Sequence, residues 1–300
     1  MYESLVLCTI ALNIAADFLD RRIAPSGELY SLALWTAIIQ FLLILPMIGL
    51  VKIMPWRSIL LCAAIGAFSA FGRIAWYRAL ASHNQTLSRL APFVRLSSVL
   101  ALLAAFFLLG EPFTYAKAIG GLMMVLGSLL IIMDNPAASL REFLNHNRDA
   151  ALATIFALSI ASISVTYKSL LNSHIDLFTV YFFLKTFQVL SFISYSVLNE
   201  TFVSTFRNIS HLRVLVAGRV LQTVAALIYL LALSRLDLSV VEPIAALGPL
   251  MVFGIEIATG HHRAWPRGDG KSIWLSRMMI VHFVSLVIVG VGIFLLSRRS

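Results

Sequence analysis

Apolar runs long enough to cross a bilayer repeat along almost the whole of this chain, and they leave few folds open to it. Residues 31–51, 150–167 and 278–297 each pass without a single Asp, Glu, Lys or Arg. A helix rising 1.5 Å per residue crosses the roughly 30 Å hydrocarbon layer in about 20 residues, and it satisfies its own backbone there. Ten spans are expected, near residues 4–19, 31–51, 57–80, 86–109, 113–133, 150–171, 176–198, 211–233, 238–259 and 277–297. Hydrophobic residues make up 60% of the chain and charged ones 12%, against roughly 25% charged in soluble domains. One water-soluble core could not hide so much apolar surface. The chain reads as an all-α polytopic membrane protein.

A pattern inside the spans occurs twice. Thr86-Leu87-Ser88-Arg89-Leu90-Ala91-Pro92, followed by Leu96-Ser97-Ser98, returns 151 positions later. The second copy is Asp237-Leu238-Ser239-Val240-Val241-Glu242-Pro243, followed by Leu247-Gly248-Pro249. The polar connection containing Asn135-Pro136 falls near the middle of the chain. Residues 1–134 are therefore expected to form one five-helix repeat, 135–149 a connecting loop, and 150–300 a second repeat. A repeat with an odd number of spans must sit inverted relative to its partner, an arrangement that builds carriers around a central cavity. The expectation is ten transmembrane helices as two inverted five-helix repeats. Pro92, Pro243 and Pro249 each free a backbone carbonyl inside a span, so they are expected at helix bends or gating positions.

The formal charge of +9 is spread over short loops with no basic domain. It suits lipid headgroups and membrane topology better than nucleic acid. Cys8 and Cys62 lie in apolar segments and read as packing residues. The amino terminus lacks a basic leader and a clear small-residue cleavage site, so the first apolar stretch is expected to be a retained helix. His261-His262 with Asp269 is the only candidate catalytic cluster, and it lacks the helical spacing of a zinc protease. No enzyme activity, cofactor or metal is expected. The competing reading is a polytopic enzyme or flippase for a lipid-linked substrate.

A charge near the bilayer centre costs a few kcal/mol even on permissive scales, so each one needs a partner or an aqueous cavity. Lys185, Arg95 and Arg219 fall deep within spans, and Arg73 lies about two turns from the end of its own. Acids at depth are fewer: Asp17, Glu242 and Glu256. One reading has Lys185, Arg219 and Arg95 attracting a carboxylate or phosphate on a solute. The other pairs Lys185 or Arg219 internally, for instance with Glu242. Gln40, Gln188 and Gln222 could complete a site or bond helix to helix. Trp76, Tyr77, Tyr181 and Tyr229 could present flat faces to a solute or anchor the chain at the lipid interface. His282, alone inside the tenth span, suits packing better than proton relay.

Three segments carry a resemblance: Trp76-Tyr77-Arg78-Ala79-Leu80, Ser88 to Ser98, and Leu109-Gly110-Glu111-Pro112-Phe113-Thr114, with Gly120-Gly121 and Gly127 after them. Together they resemble the EamA repeat of the drug/metabolite transporter superfamily. The second copy keeps Tyr229, Ala232-Leu233, Ser239, Leu247 and Pro249, but has His261-His262 where the first has Gly110-Glu111. The resemblance implies a secondary transporter that exports or exchanges a small polar metabolite, such as an amino acid or a related anionic or zwitterionic solute, by alternating access. It implies a structural role for Glu111 at a helix end. It also implies a multi-pass protein of the bacterial inner membrane, with a small-molecule substrate, membrane lipids and a coupling proton as partners, acting as a monomer or weak homo-oligomer. Cytoplasmic termini follow from the resemblance, whereas the Lys and Arg distribution among the loops favours the opposite orientation.

Overall fold

The computed structural model describes residues 2–23, 29–81, 87–112, 114–132, 147–198, 212–248, 251, 284, 287–292 and 295. Helices are α1 (Tyr2–Ile23), α2 (Leu29–Ile44), α3 (Trp56–Ala81), α4 (Leu87–Phe107), α5 (Tyr115–Ile132), α6 (Asn147–Asn172), α7 (Leu177–Leu198), α8 (Leu212–Leu233) and α9 (Leu238–Ala245). A 3-10 segment, Leu45–Leu50, continues α2, and residues 287–292 are also helical. No strand occurs among the described residues. Six described stretches have the length and composition to cross a membrane: Tyr2–Ile23, Ser31–Leu50, Trp56–Ala81, Ala151–Asn172, Leu177–Val197 and Leu212–Leu233. Leu96–Phe107 is a shorter apolar helix. This is a polytopic, all-helical architecture.

Several boundaries depart from those expected, each for a local reason. α1 continues past residue 19 because Asp20 and Ile23 are buried against the rest of the bundle. In the second span the α-helix gives way to 3-10 geometry at Leu45, next to Pro46, which has no N–H for the ladder. The ninth span leaves regular α-helix at Ala245. Pro249, four residues on, has no N–H to offer the Ala245 carbonyl. Pro92 and Pro243 occupy the same sixth position of α4 and α9, and the backbone of α4 remains helical through Pro92. Pro249 itself and the Pro92 ring lie outside the described residues.

Hydrocarbon tails are as apolar as leucine, so association of these helices cannot rest on burying leucines from water. Close packing and polar contacts must supply it. The most extensive packings all cross between the chain's halves: α1 on α8, α3 on α6 and α7, and α4 on α6. Gly72 permits one of them, since a Cβ there would lie 2.0 Å from Ser159 Oγ. One turn later, Trp76 stacks on Phe156 with ring centroids 4.7 Å apart. Exposed side chains such as Leu42, Ile53, Phe71 and Phe107 cover the outside with apolar surface suited to lipid.

Helix ends in this bundle are closed from a distance. Gly110 takes φ 65°, which glycine adopts without a Cβ penalty. Around it, the Leu109 and Glu111 N–H groups bond back to the Ala104 and Ala105 carbonyls at 3.1 and 3.0 Å, ending α4 with a left-handed cap. The turn sends the Glu111 carboxylate to the start of α9. There Oε1 accepts from the Leu238 N–H at 2.7 Å and Oε2 from the Ser239 N–H at 2.9 Å. An anion at a helix amino terminus meets both its free donors and the positive end of its dipole. Lys117 reinforces the junction through Asp237 at 2.7 Å. The opposite chemistry closes α8, where Lys168 Nζ donates to the Leu233 and Leu236 carbonyls at 3.1 and 2.8 Å.

Two outcomes follow for stability. Glu111→Ala should lower stability by about 1–2 kcal/mol, the upper range for a lost cap, with Glu111→Gln intermediate because it keeps one acceptor oxygen. Unfolding of the detergent-solubilised protein measures both. Gly72→Ala should destabilise through collision with Ser159, and Ser159→Gly in the same chain should restore much of the loss. Additive losses in the double variant would remove the close-approach explanation.

Candidate functional site

Charged residues at membrane depth converge where α1, α2, α3, α7 and α8 meet. The deepest is Arg219, which is 0% exposed. Its guanidinium pairs with the Asp20 carboxylate, also 0% exposed, and Nη1 donates to Gln222 Oε1 at 2.6 Å. Gly218, beside Arg219, faces Leu19 and Asp20 of α1, with room for a Cβ between the helices. Breaking a buried pair by removing one partner strands a charge at a cost of about 3–5 kcal/mol. Arg219 is thus internally neutralised.

From that pair a chain of amides leads to a second cation. Gln40 Nε2 donates to Gln222 Oε1 at 3.2 Å, and Gln40 Oε1 accepts from Lys185 Nζ at 2.7 Å. Lys185 also donates to Gln188 Oε1 at 3.1 Å and stands 5.5 Å from the centre of the Tyr181 ring. Each amide is oriented by this sequence: its oxygen faces a cation, and the Gln40 nitrogen faces the next oxygen. Lys185 therefore has neutral acceptors and an aromatic face, with no carboxylate bonded to it among the described residues. No bonded carboxylate stands between Lys185 and an incoming anion among the described residues.

Aromatic residues frame the same region. Tyr77 shares a 2.7 Å hydrogen bond with Thr36, fixing α3 to α2. Tyr181 is 1% exposed, and its hydroxyl lies beside that of Thr223 without a well-formed hydrogen bond. Trp76 is likewise buried on Phe156 with its indole N–H unpartnered among the described residues. Of the residues expected from sequence, Lys185, Arg219, Gln40, Gln188 and Gln222 form one connected network. Tyr181 touches it through Lys185, and Tyr77 and Trp76 border it on α3.

Tyr229 belongs elsewhere. Its hydroxyl donates to Glu242 Oε1 at 2.5 Å and lies 2.9 Å from Ser164 Oγ, while Ser98 Oγ donates to Glu242 Oε2 at 3.1 Å. This hydroxyl-lined carboxylate links α4, α6, α8 and α9. Internal pairing, with Glu242 as the example partner for Lys185 or Arg219, was one of the two readings of the sequence; Asp20 pairs with Arg219 instead, and Lys185 takes amides. The Arg95 side chain, Glu256, His261, His262, Asp269 and His282 lie outside the described residues. Asp20 escaped the sequence reading because it sits beside Arg21-Arg22 and looked like the edge of a loop. Its signal was periodicity: Asn13, Asp17 and Asp20 recur at spacings of four and three, on one helical face.

No curated protein matches this chain. One solved structure, described only as the crystal structure of a protein, is 16% identical and covers 100% of both chains with a TM-score of 0.65. At that identity the likeness speaks for the fold alone. Sequence comparison with family models is more specific, and it falls on the half that carries the Gly110-Glu111 turn and the Trp76-Tyr77 segment. Residues 5–133 match the model of the EamA-like transporter family, part of the drug/metabolite transporter superfamily.

Proposed function

We propose that this protein is a secondary transporter that moves a small metabolite bearing an anionic or zwitterionic group, by alternating access between two inverted halves. The observation that carries the reading is Lys185, whose ammonium is bonded, among the described residues, to amide oxygens alone, where helices of both halves converge. Charges are kept at membrane depth at a cost, and an unpaired one marks a solute path more often than a structural joint. The family match over residues 5–133 supplies the transport class.

Helix directions support the inversion. Thr9 reaches the Ala225 carbonyl while Asp20 reaches Arg219, so α1 and α8 run antiparallel. α3 and α6 pair the same way, through Trp76 with Phe156 and Gly72 with Ser159. The carboxyl ends of α6 and α8 meet at Lys168, so these two run parallel. α1 and α6, the first helices of the two halves, therefore point in opposite directions. Ten spans as two inverted five-helix repeats are the arrangement this pairing favours, with the second repeat ending in the helical residues at 287–292.

In this reading Lys185 holds the anion and Gln40 and Gln188 orient it. Arg219, sealed by Asp20, sets the position of Gln222 and through it Gln40. The test is counterflow in proteoliposomes across amino acids, organic acids, sugars and phosphorylated metabolites, with and without a pH gradient. Saturable counterflow of one solute class is expected, and Lys185→Gln should lower it at least tenfold in protein that remains folded. Full counterflow by folded Lys185→Gln, or silence of the native protein across the panel, would overturn the reading. Asp20→Asn should behave differently, lowering stability by about 3–5 kcal/mol because Arg219 is left buried and unpaired. Thermal unfolding in detergent checks that value.

A further inference from the structure

Arg73 is the cation the network does not use. It lies on α3 one turn before Trp76 and Tyr77, with its guanidinium over the Phe156 ring at 5.7 Å. Among the described residues it makes no salt bridge and no hydrogen bond. It stands near enough to Lys185, Tyr77 and Tyr181 to act electrostatically on each. Both Arg73 and Lys185 keep part of their surface exposed, whereas Arg219 is fully enclosed.

The charges of this region do not cancel. Among the described residues three cations, Arg73, Lys185 and Arg219, meet one bonded carboxylate, that of Asp20. Asp17 acts electrostatically on Arg219 as well, from the same face of α1 as Asp20, which neutralises the enclosed cation further. Beside the enclosed pair, Asp20 Oδ2 is an acceptor without a partner among the described residues, whereas around Lys185 the unused capacity is one of donors. The oxygens of Gln40, Gln188 and Gln222 already accept hydrogen bonds. Donors remain among the described residues: the third Lys185 N–H and the Arg73 fork. A ligand that completes the region must bring acceptors and two negative charges.

We propose that the site selects a small dianion, a phosphate monoester or a dicarboxylate, with Lys185 meeting one charge and Arg73 the other. This rests on the transporter reading for its consequence, though not for the binding itself. A planar guanidinium on an aromatic face is suited to a two-oxygen contact, while the ammonium serves as a point charge. The bound dianion cancels both free cations, so the loaded site can be enclosed in apolar surroundings more readily than the empty one. Exchange of one dianion for another should then outrun net efflux.

Binding is tested first, on the full chain in detergent. Thermal unfolding is followed against inorganic phosphate, glycerol 3-phosphate, succinate, lactate and alanine at matched ionic strength. The expected result is saturable stabilisation by a phosphate or dicarboxylate arm at concentrations at least tenfold below lactate. The two arms separate phosphate esters from dicarboxylates. Arg73→Gln should raise the concentration needed at least tenfold, and Arg73→Lys should lie between. Lactate or alanine stabilising as well as any dianion would overturn the proposal, as would folded Arg73→Gln binding the dianion like the native protein. Should Arg73→Gln not fold, the native selectivity and Arg73→Lys decide. Counterflow then separates the two readings. Dianion binding without counterflow of any solute defeats transport and leaves the dianion site standing. Counterflow of alanine alone keeps transport and defeats the dianion.

Discussion

A guanidinium enclosed without water has to be paired, and the pairing of Arg219 with Asp20 constrains much of what surrounds it. It joins the first long helix of one half to a helix of the other, in a medium where leucine contacts alone give no preference for one partner over another. The antiparallel register of the two helices also brings Thr9 to the Ala225 carbonyl. Because removing either charge would strand the other, the pair also specifies which face of α1 turns inward.

From this fixed point the polar residues act in order. Arg219 orients Gln222, Gln222 orients Gln40, and Gln40 with Gln188 receives Lys185. A carboxylate beside Lys185 would have made a second closed pair. Amides satisfy the ammonium's geometry while leaving its charge uncancelled. The contrast with Glu242 is instructive, since that acid is surrounded by the hydroxyls of Tyr229 and Ser98 and lies in a different set of helices. The bundle thus keeps Lys185 and this hydroxyl-lined acid in separate places.

Much of this was legible from the chain because depth in a membrane restricts polar residues so strongly. Lys185, Gln40, Gln188 and Gln222 stood out as polar interruptions of apolar spans, and they meet. Partner choice was harder to read. Nothing in a one-dimensional pattern distinguishes Asp20 from Glu242 as the acid for Arg219; the distinction comes from how two helices 199 residues apart in sequence register against each other. Tyr229 illustrates the same limit, since it shares the aromatic character of Tyr181 but faces Ser164 and Glu242. Helix ends near charge clusters were misjudged where tertiary neutralisation extended them, as at Asp20. They were recognisable where glycine imposed the geometry, as at Gly110.

The Glu111 cap has a bearing on how the chain matures. Its carboxylate emerges from the ribosome 127 residues before the Leu238 N–H it will bind. Until α9 arrives, the Gly110-Glu111 corner holds an acid with its receptor still unmade, and the α4 terminus is held only by its own backbone turn. The first half can enter the bilayer in sequence, yet this corner is completed only when the second half closes on it. Nascent chains stopped between those points should therefore resemble an open clasp, and they present the quality-control machinery with an exposed carboxylate that the finished protein conceals.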